Sequence, residues 1–344
     1  MITRKLRFGR TVFAAVVTAG ALAGCSAANG TAQARISRIE QNSIVVDSVP
    51  VAEEGGLYVA QAQGFFAQQG LTVKIVPVTG AERAIPDLQT GRAQLVAGNY
   101  VSFILAQLAG KFDNKPASLR IVAAGSEIEP GTEDLYVMPG SKYQSVSELA
   151  QAHARVGLNT ANDIGGLLLG ASLTEAGYQL GDIRQVIPAG GFPALLRMLP
   201  AGHVDAAWLP QPLGEEAEQQ IGAVPITDFD QGSLENFPFT GYIGSTSWVQ
   251  AHPDTVAAFL RALNEGQQLA DTDRKAVETA METYLSISPM IAANMAIDSY
   301  PLEVDVPQLQ RVADSMFEFG LTPGVKSPYK ISAMVQPEPG MISG

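Results

Sequence analysis

From residue 43 onward, short strands rich in β-branched residues alternate with helical stretches, an order that few folds accommodate. "SIVVDSV" (43–49) and "TVKIVPV" (72–78) read as strands, and "LYVAQAQGFFAQQG" between them reads as helix ending at Gly70, which makes a βαβ unit. A helix from about Ala81, a strand "QLVAG", a helix "YVSFILAQLAG" and strands "RIVAAG" and "DLYVMPG" follow. The pattern resumes with "HARVGLNT", "GGLLLGASLTEAG" and "DIRQVIPAG". Crossover connections of this kind predict parallel sheets covered by helices on both faces. With 344 residues, 46% of them hydrophobic, the chain can bury more than one lobe.

One unit occurs twice. "LQTGRAQLVAG" (88–98) and "LPAGHVDAAWL" (199–209) both end a helix at Leu, place Gly three residues on at the C-cap, turn, and enter a short apolar strand. Either two lobes share a topology, or this is the helix-glycine-strand junction common to α/β proteins.

The first residues read as an address. "MITRKLRFGR" is a basic n-region and "TVFAAVVTAGALAG" an apolar h-region too short to span a bilayer, the pattern of a secretory signal over 1–24. It ends at "LAGC", which resembles the bacterial lipobox, where cleavage precedes the cysteine and that cysteine carries the lipid. Cys25 is the only cysteine, and a free thiol outside the cytoplasm is a liability, so it is expected to be the lipidation site. Losing Arg4, Lys5, Arg7 and Arg10 with the signal takes the net charge from −12 to −16, which leaves the lipid, not a basic patch, as the anchor. Residues 25–42 read as a tether, 326–344 as a Pro- and Gly-rich, poorly ordered tail, and no later run is long enough to cross a membrane.

Composition and motifs exclude several functions. The acidic excess has the wrong sign for nucleic acid. His153, His203 and His252 are scattered with no zinc-binding spacing, and no G-x-S-x-G, P-loop or G-x-G-x-x-G is present, so no enzyme, metal or cofactor is expected.

"GLYVAQAQGFFAQQGLTVKIVPVTGAERAIPDLQTGRAQLVAGN" and "LTEAGYQLGDIRQVIPAGGFPALLRMLPAGHVDAAWLPQP" resemble the two lobes of ABC-transporter substrate-binding proteins of the SsuA/THI5-like (NMT1) family, which take up nitrate, sulfonates, taurine and thiamine precursors. The resemblance covers roughly 43–265. It implies a type II periplasmic-binding-protein fold: lobe 1 from 43–135 plus 243–325, lobe 2 from 136–242, crossings near "DLYVMPG" and "TGYIGST", and a ligand cleft between the lobes. It also implies a small-molecule ligand, an ABC permease with its ATPase as partners, a monomeric, extracytoplasmic or periplasmic protein, and no catalysis. The thiamine-pyrimidine synthases of this fold use a cysteine-rich motif that this chain lacks. Gln94 stands where the family usually has aspartate in the first copy of the repeat, whereas Asp205 keeps it in the second, a position read as a strand-end contact.

Ligands of open α/β sheets collect at the C-terminal ends of strands. The loops there supply the candidate binding residues Glu53, Glu54, Gly55, Tyr58, Thr79, Gly80, Asn99, Tyr100, Ser126, Glu127, Asn159, Thr160, Asn162, Asp163, Gly191, Phe192, Trp208 and Gln211. Asp163 has two readings, an ordinary helix N-cap or an acceptor facing the cleft. Phe192 and Trp208 are core residues or stacking faces. A glutamate in a loop is ordinarily solvated, but no Lys or Arg accompanies these loops apart from Arg83, and a desolvated sulfonate or nitrate needs a cation. The expected ligand is therefore a heteroaromatic or amine compound such as a thiamine pyrimidine precursor. The alternatives are an aliphatic sulfonate, taurine or nitrate in the same role, or an enzyme or sensor on the same scaffold.

Overall fold

A computed structural model describes residues 39–110 and 118–336, so the signal, Cys25, most of the tether and residues 337–344 lie outside the described residues. Two five-stranded sheets organise the described residues. The first contains β1 (Ser43–Ser48), β2 (Thr72–Pro77), β3 (Leu95–Asn99) and β4 (Leu119–Ala124); the second contains β5 (Glu133–Val137), β6 (Arg155–Gly157), β7 (Arg184–Val186), β8 (Ala206–Pro210) and β9 (Val224–Asp228). β10 (Thr240–Ser245) returns to the first sheet. The orders are β2-β1-β3-β10-β4 and β7-β6-β8-β5-β9, the same arrangement twice.

The sheets are mixed, which corrects the expectation of all-parallel strands. β10 runs antiparallel to β3 and β4, and β5 antiparallel to β8 and β9. Each is the first strand after a crossing between lobes, so it enters its sheet from the opposite end without a crossover helix. The crossings lie at 125–132 and 229–239, ahead of β5 and β10, slightly earlier than the expected "DLYVMPG" and "TGYIGST". There they pair with each other: Ile128 N donates to Phe237 O at 3.0 Å and Phe239 N to Ser126 O at 2.9 Å.

Helices α1 (Gly55–Ala62), α2 (Phe65–Gln68), α3 (Ala81–Thr90) and α4 (Tyr100–Leu108) belong to the first sheet. Lobe 2 carries α5 (Val146–Gln151), α6 (Ile164–Glu175), α7 (Gly191–Met198) and α8 (Leu213–Ile221). After β10 come α9 (Thr246–Ala251), α10 (Pro253–Thr272), α11 (Arg274–Tyr284), α12 (Pro289–Asn294) and α13 (Val306–Glu318). α6 is apolar all round, and Leu167, Leu168 and Leu169 are all fully buried, as expected of a helix inside a core.

The repeated motif is structurally equivalent in the two lobes. Gly91 caps α3 with φ of 71°, whereas α7 is capped by Leu199 and the expected Gly202 lies in the turn beyond it with φ of 66°; both glycines take the left-handed conformation that glycine adopts without penalty. Gln94 Oε1 then accepts from Val45 N of β1 at 2.8 Å, while Asp205 Oδ2 accepts from Arg155 N of β6 at 2.8 Å. Both side chains satisfy the same backbone donor of the neighbouring strand, which is why glutamine can replace aspartate here.

The tail is ordered through residue 336, contrary to the sequence reading. β4 is an edge strand, and Ile121 N donates to Met334 O at 2.8 Å while Gln336 N donates back to Ile121 O at 2.9 Å. With Ile331 and Met334 buried, the segment covers an edge that would otherwise expose unpaired backbone.

Candidate functional site

The strand-end loops of the two sheets meet around a small cavity of about 30 Å³. Val49, Val51, Glu53, Glu54, Gly80, Ala81, Gly98, Asn99, Phe239 and Thr240 line it from the lobe 1 side, and Asn159, Ile164, Phe192 and Trp208 from lobe 2. Such a space holds about one or two waters, whereas ligand pockets run to roughly 300 Å³ and more, so a ligand enters only when the lobes part. Contacts across the boundary hold them together: Ala52 N donates to Gln211 O at 2.8 Å, and Ser102 Oγ donates to Asp163 Oδ2 at 2.5 Å.

Seven of the candidate residues meet at this cavity: Glu53, Glu54, Gly80, Asn99, Asn159, Phe192 and Trp208. Asn99 also caps α4, its Oδ1 accepting from Ser102 N at 2.8 Å. Thr79 and Gly191 oppose each other across the lobes, since a Cβ on Gly191 would lie 3.3 Å from Thr79 O. Thr160 and Asp163 line a separate groove of about 340 Å³, with Glu82, Ser102 and the α3–α4 faces.

The remaining candidates are placed elsewhere. Tyr58 belongs to a satellite core and stacks on the exposed Tyr284 at 5.3 Å, and Tyr100 packs edge-on against Phe103 at 6.2 Å. Gly55 abuts Tyr300. Ser126 and Glu127 belong to the first crossing, where Ser126 Oγ lies 3.0 Å from Thr240 Oγ1. Gln211 fixes the other end of that crossing, its Nε2 donating to Gly131 O at 2.9 Å. Asn162 is exposed in a left-handed turn. Buried tyrosines and bonded hinge residues pack where an apolar loop end meets the next helix, which their sequence positions do not distinguish from a cleft.

Asp163 is an N-cap: its Oδ1 accepts from Ile164 N at 2.7 Å while Ser102 takes the other oxygen. Burial pushes its carboxyl up to about 6. Trp208 is 1% exposed, and its ring meets Phe192 edge-on at 5.0 Å. A Cβ on Gly165 would sit 2.5 Å from the indole, so the start of α6 closes over one ring face and Trp208 presents the cavity with only part of its surface.

Glu53 and Glu54 correct the expectation of solvated glutamates: they are 4% and 0% exposed. The 3-10 turn that carries them, Ala52–Glu54, leads into α1, and Ala52 N at its start donates to Gln211 O of the opposite lobe. Glu133 and Asp298, neither of them candidates from the sequence, join them. Glu133 opens β5 in lobe 2 and accepts from Trp208 Nε1 at 2.6 Å; Asp298, in the loop between α12 and α13, is likewise buried. Burial, with Asp298 adding to it, holds the Glu53 carboxyl well above its ordinary range; burial and the facing Glu53 do the same to Glu133. Burial pushes Glu54 up to about 8 and Asp298 up to about 7. None of the ion pairs among the described residues involves any of the four. The available signal was an acid at the head of the apolar strand "EDLYV", where a buried, solvent-excluded position is expected. Among the described residues no cluster of His, Cys, Asp and Glu has the geometry of a metal site.

Such a cavity suits a guest that brings donors or positive charge. Its carboxyls must be protonated or compensated, and an anion would add a further uncompensated charge.

A search of curated protein sequences finds no match for the chain. Solved structures share its fold. The alkanesulfonate-binding protein SsuA from Xanthomonas axonopodis pv. citri bound to MOPS aligns over 87% of this chain and 99% of its own, with 18% identity and a TM-score of 0.72. The periplasmic nitrate-binding protein NrtA from Synechocystis PCC 6803 aligns over 84% of each chain, at 13% identity and a TM-score of 0.72. The desulfurization enzyme DSZB also shares the fold, over 87% of this chain and 97% of its own, at 16% identity and a TM-score of 0.62, so the scaffold itself does not decide between binding and catalysis. Residues 52–275, well over half the chain, match the family model described as NMT1/THI5 like. With two sheets of matching order around a shared cleft, the chain belongs to the NMT1/THI5-like family.

Proposed function

We propose that this chain is an extracytoplasmic solute-binding protein, anchored by lipid on Cys25, that closes two lobes on a small molecule and delivers it to an ABC permease and its ATPase. The ligand is a nitrogenous compound, heteroaromatic or amine, of which a thiamine pyrimidine precursor is the type. One observation carries the choice of ligand: the cleft buries Glu53, Glu54 and Glu133 with no Lys or Arg paired to them. Alkanesulfonate and nitrate, named for the structural neighbours, would have to be desolvated beside these carboxyls. Binding shifts the open population to the closed one through contacts that only the closed form makes, such as Ser102 to Asp163 and Ala52 to Gln211.

Native mass spectrometry of protein purified without refolding tests the function, because a carried-over ligand reports its own mass. A nitrogen-bearing compound released on denaturation is expected; a sulfonate, or steady turnover of the bound compound, counts against the reading. For the anchor, Cys25→Ser protein is expected in the soluble fraction, and its sedimentation with membranes would remove the lipid from the account.

A further inference from the structure

Glu53 and Glu133 come from opposite lobes and are brought together by their backbones: Ala52 N donates to Gln211 O at 2.8 Å and Gln211 N donates to Thr132 O at 3.2 Å, and burial holds both carboxyls above their ordinary range, the facing Glu53 adding to the rise of Glu133. Among the described residues no N–H or hydroxyl is bonded to Glu53 Oε2 or Glu133 Oε1. Each oxygen is buried, Glu53 lines the cavity, and Trp208 satisfies the other oxygen of Glu133. Two carboxyls so placed close only if one of them holds a proton, because two buried like charges repel. The groups facing the pair offer no positive charge. Among the described residues they are Glu54 beside Glu53, Asp298 and Tyr300 from the loop before α13, and Tyr58 from α1, with Tyr242 of β10 beyond Glu54 and Glu129 of the first crossing beyond Asp298.

We propose that Glu53 and Glu133 are the cation-recognising end of the cleft, and that an ammonium or amidinium group of the ligand enters by displacing the proton the two carboxyls share. The proposal rests on the cleft being the ligand site. The exchange balances: the cation arrives with its charge, the proton leaves to solvent, and the pair becomes two carboxylates around one positive group. Trp208 then keeps Glu133 oriented by its N–H. The class of ligand follows. It carries a protonated nitrogen with at least two N–H donors, one for each carboxylate, and a neutral or anionic isostere is rejected because it cannot replace the proton.

The test uses the full chain and two cationic probes, methylammonium and benzamidine, titrated calorimetrically in buffers of different ionisation enthalpy. The expected result is saturable binding of benzamidine that releases close to one proton per site and tightens about tenfold per pH unit through the range in which the pair is protonated. Binding with no proton release, or binding of neither probe at pH 8, overturns the proposal. Glu53→Gln, which keeps the size and removes the shared proton, is expected to melt cooperatively while losing both the proton release and at least tenfold in benzamidine affinity. Unchanged affinity in that variant also overturns it. A nitrogenous ligand found by native mass spectrometry would stand even then, so failure here is distinct from failure of the binding function.

Discussion

Trp208 and Glu133 sit on neighbouring strands of the second sheet, and the indole N–H of one ends on a carboxyl oxygen of the other at 2.6 Å. This makes Trp208 a structural wall of the cleft as much as a ligand contact. Trp208→Phe keeps an aromatic ring against Phe192 but leaves a buried acceptor without its donor, and should destabilise by about 1–3 kcal/mol. Trp208→Ala should cost about 3–5 kcal/mol through the cavity it opens under Gly165. Urea denaturation followed by circular dichroism measures both; a silent Trp208→Phe would mean that the hydrogen bond contributes nothing.

The buried carboxyls give the protein an acid-favoured stability. Burial raises Glu54 to about 8, Asp298 to about 7 and Asp134 to about 7, each above its ordinary value. A raised acid contributes stability that is complete below its unfolded value near 4 and is lost as pH climbs through the folded value. The ligand-free protein should therefore melt roughly 5–10 °C lower at pH 8.5 than at pH 5.5. A flat melting profile across that window would show that these groups ionise freely in the folded state.

Asp163 is expected to behave as a latch and cap, with a pH signature of its own. Its carboxyl is raised to about 6 from 3.8, so its stabilising share is complete below 3.8 and gone above 6. Asp163→Asn caps the helix equally well and has no such titration, so it should gain roughly 2–4 kcal/mol relative to wild type between pH 4 and pH 7. Ser102→Ala leaves Asp163 Oδ2 without its donor and should destabilise by about 1–3 kcal/mol. Denaturation midpoints at each pH read both effects, and parallel curves for wild type and Asp163→Asn would contradict the assignment.

The repeat predicts an asymmetry. Asp205 accepts from Arg155 N, Nε and Nη2 at 2.8, 3.0 and 2.8 Å, whereas Gln94 accepts only from Val45 N on the strand. Asp205→Ala should cost about 1.5–3 kcal/mol and Gln94→Ala about 1 kcal/mol. Equal losses in the denaturation of the two variants would mean that the arginine fork contributes nothing beyond the shared backbone contact.

Much of this architecture is legible in the residues. The β-branched runs at 43–48 and 72–77, the left-handed glycines in the turns after α3 and α7, and the loops at the strand ends all follow from local patterning. The antiparallel strands β5 and β10 are not legible, because a strand's direction depends on which lobe the chain has just left. The tail escapes for a similar reason. "SPYKISAMVQ" has no periodic pattern, and only the free edge of β4 gives it a place to bind. Within the site, loop position finds Glu53, Asn159 and Trp208 but misses Glu133 and Asp298, whose role comes from the carboxyls they meet across nearly 80 or more residues of chain. Tyr58 and Tyr100 show the converse error, since aromatic residues beside a cleft loop pack into the core as readily as they line it.

The most direct test of the central claim is the charge of what the cleft accepts. Titration calorimetry of the full-length protein at pH 8 would compare methylammonium and benzamidine with ethanesulfonate and nitrate. The nitrogenous compounds should bind saturably and the anions should give no heat of binding, because Glu53 and Glu54 line the cavity and Glu133 is buried behind Trp208, with no ion pair among the described residues to compensate an anion. Saturable binding of ethanesulfonate or nitrate, with none of the nitrogenous compounds competing, would contradict the account.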